Sequence, residues 1–238
     1  MRMLSRIRRV FAGLEARRLE DATRAVRDEG LTYLTVEKLL RLERLIERIK
    51  AEKVPGDFVE FGVALGGTAI VLARHAASER SFHGFDVFGM IPPPTSEKDD
   101  AASRQRYEVI RSGKSEGING NTYYGYRSDL LGDVKSSFQR HGLVVDGDRI
   151  ALHKGLFEET LPLVPIRTIA LAHVDCDWYD PVSYCLRSIA PRMSEGGAIL
   201  LDDYNDYGGA RAAVDDFCRE HPGFRFEKGA NPALWRNR

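Results

Sequence analysis

Asp57-Phe58-Val59-Glu60-Phe61-Gly62-Val63-Ala64-Leu65-Gly66-Gly67-Thr68 decides the fold of this chain. Its first five residues read as a short strand, its glycines as a tight turn, and Ala69 to Ala77 as an apolar helix that follows. Glycine at such a turn lets the backbone approach a ligand and adopt dihedrals closed to other residues. The spacing departs from the dinucleotide pattern GxGxxG, because Ala64 stands at the second-glycine position, so a pyrophosphate cradle is disfavoured. Glu60, just before the turn, suits an ammonium-bearing ligand better than an anion. The next strand, Ser81 to Phe85, ends at Asp86, about 20 residues beyond the glycines, where a carboxylate accepts hydrogen bonds from a ribose diol. Glu60, the glycines and Asp86 together point to a nucleoside-type cofactor.

Toward the C-terminus the alternation continues. Arg149 to His153, Thr168 to Val174 and Ala198 to Leu201 read as strands, and Leu130 to Gln139 and Ala210 to Arg219 as helices. Phe224 to Glu227 and Ala233 to Arg236 close the chain as strands. Alternating strand and helix predicts an α/β fold, a Rossmann-like, doubly wound and mostly parallel sheet. Two of its apolar strands end abruptly in acid: Asp175 and Asp177 follow the first, Asp202 and Asp203 the second. The carboxyl ends of parallel strands are where open α/β sheets bind ligands. Carboxylates converging there repel one another unless a cation or shared protons relieve them, so a hard divalent metal is expected.

Toward the N-terminus, residues 1–53 read as a helical extension, with Thr35 as an N-cap and Val36, Leu39, Leu40, Ile46 and Ile49 at helical spacing. Val54-Pro55-Gly56 is a turn, and residues 54–238 form the sheet domain. Within it, residues 88–128 break the pattern with Pro92-Pro93-Pro94, many charges and a Gly/Ser/Asn-rich stretch, which predicts a helix-containing lid. Tyr123, Tyr124 and Tyr126 lie there beside Asn119, Asn121 and Arg127; they suit sugar stacking, or pack the lid on itself. Trp178 and Tyr179, directly after the acids, wall the pocket or pack beneath it.

Lys+Arg and Asp+Glu are 35 each in 238 residues, so no bulk charge implies a nucleic-acid partner. The three cysteines lack CxxC spacing, which argues against a disulfide or zinc framework and for a reducing, cytoplasmic setting. No stretch approaches the length of a membrane span. Met1 to Phe11 is basic and amphipathic without the continuous apolar core of a signal peptide, and reads as an arm that packs on the domain, on a second subunit or on a membrane surface.

Glu60-Phe61-Gly62-Val63, Gly66-Gly67, Phe85-Asp86-Val87-Phe88, Gly155-x-Phe157-x-x-Thr160-Leu161-Pro162, Val174-Asp175-x-Asp177-x-Tyr179, and Gly196-Gly197 through Asp202-Asp203-Tyr204 occur in order across most of the chain. In this it resembles the macrocin O-methyltransferase family, class I S-adenosylmethionine enzymes that methylate sugar hydroxyls. The resemblance implies a seven-stranded sheet, S-adenosyl-L-methionine and Mg²⁺ as cofactors, and a sugar-containing small molecule or glycan as acceptor. It places Glu60, Gly62, Gly66 and Asp86 on the cofactor with Phe157 packing on the adenine, and Asp175 on both cofactor and metal. Asp202 and Asp203 would complete the metal site, and Asp177 is the candidate general base, or else an orienting or ion-pairing residue. The chain departs from the family at Met90-Ile91-Pro92-Pro93-Pro94, in the lid, so the acceptor is not inherited with the motif.

An alcohol is a poor nucleophile until it loses its proton, so a metal-held hydroxyl beside a base fits these residues. His153, at a strand end near Gly155, approaches the cofactor or acceptor, or bonds only to backbone. His173 is expected as a satisfied core or supporting histidine, and Cys176 as a small buried side chain facing away from the acids. The rival reading is a metal-dependent glycosyltransferase using Asp175-x-Asp177. Asp202-Asp203 at the neighbouring strand end and the early glycine turn count against it. The helical N-terminus favours a homodimer or higher homo-oligomer.

Overall fold

The strand, turn and helix at 57–76 form as read and lie at the centre of the molecule. A computed structural model describes residues 15–76 and 79–238. β1 (Asp57–Phe61) pairs in parallel with β2 (Phe82–Asp86) on one side and β4 (Ile169–Val174) on the other. β3 (Ile150–Lys154) extends the sheet beyond β2, and β5 (Met193–Leu201) extends it beyond β4. β6 (Phe224–Glu227) and β7 (Ala233–Arg236) complete the order β3-β2-β1-β4-β5-β7-β6, with β7 antiparallel to both neighbours. β5 starts before the expected Ala198: Met193 pairs with Ile169, the register then shifts, and the ladder resumes at Ala198 opposite Leu171, with Gly196 (φ 74°) inside the irregularity.

Side chains alternate across a strand, and the two faces of the sheet bury separate cores. Phe58, Leu171 and Leu200 enter one with α1 (Asp21–Asp28), α2 (Val36–Ala51), α3 (Gly67–Ala76) and α5 (Leu130–Arg140). Val59, Phe61, Ala172 and Ile199 enter the other with α7 (Tyr179–Ile189) and α8 (Gly208–Glu220). The same alternation puts Glu60 and His173 on the first face, and the register pairs them directly.

The N-terminal helices are built into the first face. Thr35 caps α2 by accepting from the Lys38 N–H, as its type and position predict. The Gly67 N–H donates to the Leu31 carbonyl (2.9 Å), which leaves no room for a side chain at residue 67. The expected arm at Met1 to Phe11 lies outside the described residues.

The segment between β2 and α5 carries α4 (Ala101–Arg111) and two short 3₁₀ turns, and covers the carboxyl end of the sheet. α6 (Phe157–Thr160) follows β3. No helix among the described residues is long and apolar enough to cross a membrane.

Candidate active site

The central strands end in one row because the ladder runs one residue past each of them. The N–H of Gly62 donates to Phe85 O, that of Asp175 to Phe61 O, and that of Asp202 to Val174 O, at 2.9, 2.9 and 3.0 Å. A cavity of about 620 Å³ opens above this row, floored by the strand ends and roofed by the lid. Its walls include Gly62, Ala64, Asp86, Phe157, Asp175, Asp177, Asp202 and Asp203.

The glycine turn is shaped mainly by the protein itself. A Cβ at Gly62 would lie 1.8 Å from the Asp175 carbonyl oxygen, and one at Gly66 would meet Val134 at 2.9 Å. Gly62 therefore lets β1 and the acid-bearing end of β4 meet, as well as facing the cavity. Asp86 fastens the same turn. Its Oδ2 accepts from the N–H groups of Val63 (2.8 Å) and Ala64 (2.9 Å), and its Oδ1 from Phe88 (2.6 Å). Burial still pushes its pKa up to about 6. Ala64 (φ 47°) and Phe88 (φ 46°) are held in the left-handed region by this arrangement.

The acids divide into a cluster and an outlier. Asp175, Asp202 and Asp203 each present one carboxylate oxygen within 4.8 Å of the others. Burial together with Asp202 and Asp203 raises Asp175 well above the usual carboxylate range, and burial together with Asp177 and Asp202 does the same to Asp203. Asp202 Oδ1 is buried without a hydrogen-bond partner. Asp177 stands apart because the Trp178 N–H turns back to the Cys176 carbonyl (2.6 Å), which puts Asp177 at φ 57° in a three-residue turn. Its own N–H donates to Asp203 Oδ2 (2.9 Å). Burial and Asp202 push the Asp177 pKa up to about 7, with Arg106 of α4 pulling the other way.

Lys38 was invisible to motif reading, yet it reaches the cluster from the first turn of α2. Its Nζ donates to Asp202 Oδ2 (2.9 Å), to the Asp202 carbonyl (3.1 Å) and to Asp206 Oδ2 (2.7 Å). An ammonium has three donors, and all three are taken. Burial opposes its charge, but Asp202 and Asp206 more than offset this and raise its pKa. Tyr33, Arg106, Asp206 and Tyr207 also line the cavity and had no sequence signal beyond residue type.

Of the expected aromatics, Tyr123, Tyr124 and Trp178 line the cavity. Tyr126 and Tyr179 do not: Tyr126 Oη donates to the Ile110 carbonyl (2.5 Å), and Tyr179 Oη bonds to Asp216 (2.7 Å). Gly66 and His153 also lie off the wall. His153 sits 3.3 Å from His83 Nδ1 and stacks on Phe85, and burial followed by His83 pulls its pKa down to about 4. Glu60 is fully buried, with Oε1 2.8 Å from His173 Nδ1 and Oε2 without a partner. It lies beneath the wall rather than in it. Cys176 is buried, and all three cysteines are free.

The family model Macrocin-O-methyltransferase (TylF) matches residues 12–223. The chain is 29% identical over 190 residues to 8-demethyl-8-(2,3-dimethoxy-alpha-L-rhamnosyl)-tetracenomycin-C 4'-O-methyltransferase of Streptomyces olivaceus, covering 78% of this chain and 67% of that protein. It is 29% identical over 226 residues to mycinamicin III 3''-O-methyltransferase of Micromonospora griseorubida, covering 88% and 81%. Among solved structures, the O-methyltransferase NovP superposes with a TM-score of 0.70 at 24% identity, covering 87% of this chain and 81% of NovP. That likeness supports the class I methyltransferase fold read from the strand order. The protein thus belongs to the macrocin O-methyltransferase family and is an S-adenosylmethionine-dependent O-methyltransferase.

Proposed function

We propose that this methyltransferase acts on a sugar hydroxyl of a glycoside, glycan or glycosylated natural product, and that it does so with Mg²⁺. One observation carries the reading: three carboxylate oxygens gathered within 4.8 Å at the strand ends, beside the glycine turn and inside one cavity. Relatives named as methyltransferases of a rhamnosyl-tetracenomycin and of mycinamicin III support the acceptor class. An all-oxygen donor set selects a hard cation. The unpartnered Asp202 Oδ1 and the mutual repulsion of the cluster are what such an ion would relieve.

When bound, S-adenosylmethionine supplies an electrophilic methyl group and Mg²⁺ supplies charge that stabilises an oxyanion. The chain's own residues do the rest. Asp175, Asp202 and Asp203 hold the ion, and Lys38 fixes Asp202 so that Oδ1 faces free. Asp177, outside the cluster and with its pKa near neutrality, takes the proton of the acceptor hydroxyl at its carboxylate. Gly62, Asp86 and Phe157 border the cofactor, while Glu60 lies buried beneath them. Tyr123, Tyr124 and Trp178 offer flat faces to a sugar ring, and the lid keeps water out. The DxD glycosyltransferase reading loses its footing, because Asp177 is not in the ligand cluster and Asp202 and Asp203 are. A reducing cytoplasmic setting, consistent with three free cysteines, and homodimeric assembly belong to the same proposal.

Titration calorimetry with S-adenosylmethionine and its demethylated product, against UDP, GDP and NAD, checks the cofactor. Transfer of labelled methyl to glycosides, with and without EDTA, checks acceptor and metal. Full turnover in EDTA would remove Mg²⁺ from the proposal, and preferential binding of a nucleotide-sugar would remove the reading altogether.

A further inference from the structure

Two adjacent lid carboxylates, Asp99 and Asp100, sit outside the cavity wall, and each reaches the start of a helix far away in sequence. Neither α7 nor α8 is capped by the residue before it: Trp178 and Tyr207 make no side-chain cap. Instead, Asp99 Oδ1 accepts from the Tyr179 N–H at the start of α7 (2.8 Å), and Asp100 Oδ2 accepts from the Gly208 N–H at the start of α8 (3.0 Å). With its other oxygen Asp100 caps α4, accepting from the Ser103 N–H (2.8 Å). Asp99 is 4% exposed, so the contact is made in the interior.

These two helices are the ones that begin right after the acid-bearing strand ends. Asp177 stands two residues before Tyr179, and Asp203 precedes Gly208 by one short turn. The Asp177 N–H to Asp203 Oδ2 bond ties the two ends together (2.9 Å). Lid acid, helix start, site acid, site acid, helix start and lid acid thus form a closed circuit. Its tightness is visible in two glycines: a Cβ at Gly209 would lie 2.0 Å from Asp99 Oδ1, and one at Gly208 would lie 2.5 Å from Asp100 Oδ2. Trp178 Nε1 to the Pro92 carbonyl (3.0 Å) and Thr95 Oγ1 to Asp180 Oδ2 (2.6 Å) seat the rest of the lid on the same end of α7.

We propose that Asp99 and Asp100 are positioning residues that couple docking of the lid to placement of Asp177 and Asp203. The inference rests on the reading of those acids as base and metal ligand. With the lid away, the two helix starts lose their caps, and the two site acids lose the frame that fixes their spacing. Binding of acceptor under the lid and assembly of the catalytic acids are then one event.

The test uses the full chain with S-adenosylhomocysteine and Mn²⁺, reading hydrogen exchange and Mn²⁺ affinity. In the Asp99→Ala, Asp100→Ala double variant, exchange across residues 89–128 and at the Tyr179 and Gly208 amides should accelerate at least tenfold. Mn²⁺ should bind at least tenfold more weakly, with S-adenosylhomocysteine affinity unchanged. Asp99 uses a single oxygen, so Asp99→Asn keeps its bond to the Tyr179 N–H and should show wild-type readouts, where Asp99→Ala accelerates exchange at Tyr179 and weakens Mn²⁺ binding. Gly208→Ala, Gly209→Ala keeps both acids but puts methyl groups against Asp100 Oδ2 and Asp99 Oδ1, and should reproduce the double aspartate variant, which covers the case where the latter fails to fold. Wild-type exchange and Mn²⁺ affinity in the Gly208→Ala, Gly209→Ala variant, or an Asp99→Asn variant that behaves like Asp99→Ala, would overturn the coupling while leaving the metal reading intact. A wild-type protein that binds no Mn²⁺ would overturn the metal reading and the coupling with it.

Discussion

Asp177 owes its separate role to one backbone turn. A residue continuing β4 would alternate in and out of the ligand cluster, but the 2.6 Å contact from the Trp178 N–H to the Cys176 carbonyl throws Asp177 sideways. Aspartate tolerates the resulting φ of 57° better than most residues. The carboxylate then stands beside the cluster without joining it, and its pKa near 7 leaves it able to accept a proton at neutral pH. Asp177→Asn should cut kcat by about 10²–10⁴-fold, the usual worth of a general base. Mn²⁺ and S-adenosylhomocysteine affinities, measured by calorimetry, should stay within about threefold; a loss of Mn²⁺ binding to match the loss of turnover would instead make Asp177 a metal ligand. Lys38 is the counterpart that no motif announced. A lysine in the first turn of an amphipathic helix reads as a solvated charge, and only the docking of α2 against the 202–206 segment brings it to Asp202.

At the scale of elements, the glycine turn works as a joint between strands as much as a ligand cradle. Gly62 has φ 90°, and the Asp175 carbonyl occupies the space a side chain would need. Gly62→Ala should therefore destabilise the protein by about 3 kcal/mol or more, from combined backbone strain and overpacking, as read by urea denaturation. It should also weaken Mn²⁺ binding, because relief of the clash must move the residue that carries Asp175; a variant with unchanged midpoint and affinity would show that the joint is slack. Strand positions were legible because apolar runs bounded by turns or acids have few alternatives in an α/β chain, and β6 and β7 fall where the sequence put them. The acid cluster was legible for the same reason, since a strand's end is a fixed place. What lies across the cavity was not. Tyr126 and Tyr123 share a lid segment and a residue type, yet Tyr126 bonds to the Ile110 backbone while Tyr123 faces the cavity, a difference set by three-dimensional packing. Glu60 was read as facing a ligand from its place before the turn. Strand parity does put it on the face of Asp86 and Asp175, but one pleat below the strand ends, where it is fully buried and His173 in register offers its carboxyl group a hydrogen-bond partner. The double glycine Gly208-Gly209 at an uncapped helix start was the one overlooked signal, since glycines there mark a close approach from elsewhere.

For the whole molecule, the site is an electrostatic burden carried by the fold. Asp86 and Asp177 have pKa values of about 6 and about 7 against ordinary values of 3.8, and Asp175 and Asp203 are also raised, burial being the first cause in each. The sign follows from linkage. A carboxyl whose pKa is higher in the folded state than in the unfolded chain favours folding while protonated, so its stabilisation is complete below the unfolded pKa and is lost as pH rises through the folded one. The metal-free protein should therefore lose stability as pH climbs from about 4 to about 7 on account of Asp86 and Asp177, against the usual gain that surface carboxylates bring in this range. Divalent cation reverses the preference for the acids it binds, since it binds the ionised form, and it stabilises the folded state by mass action. Thermal melts in EDTA and in excess Mg²⁺ should therefore diverge with pH, the gain from Mg²⁺ being small near pH 5 and several degrees larger near pH 8. In Asp202→Asn that divergence should shrink, because one ligand charge and one source of repulsion disappear together. A gain from Mg²⁺ independent of pH would mean that the ion binds away from these acids, and that the fold carries their repulsion by shared protons alone.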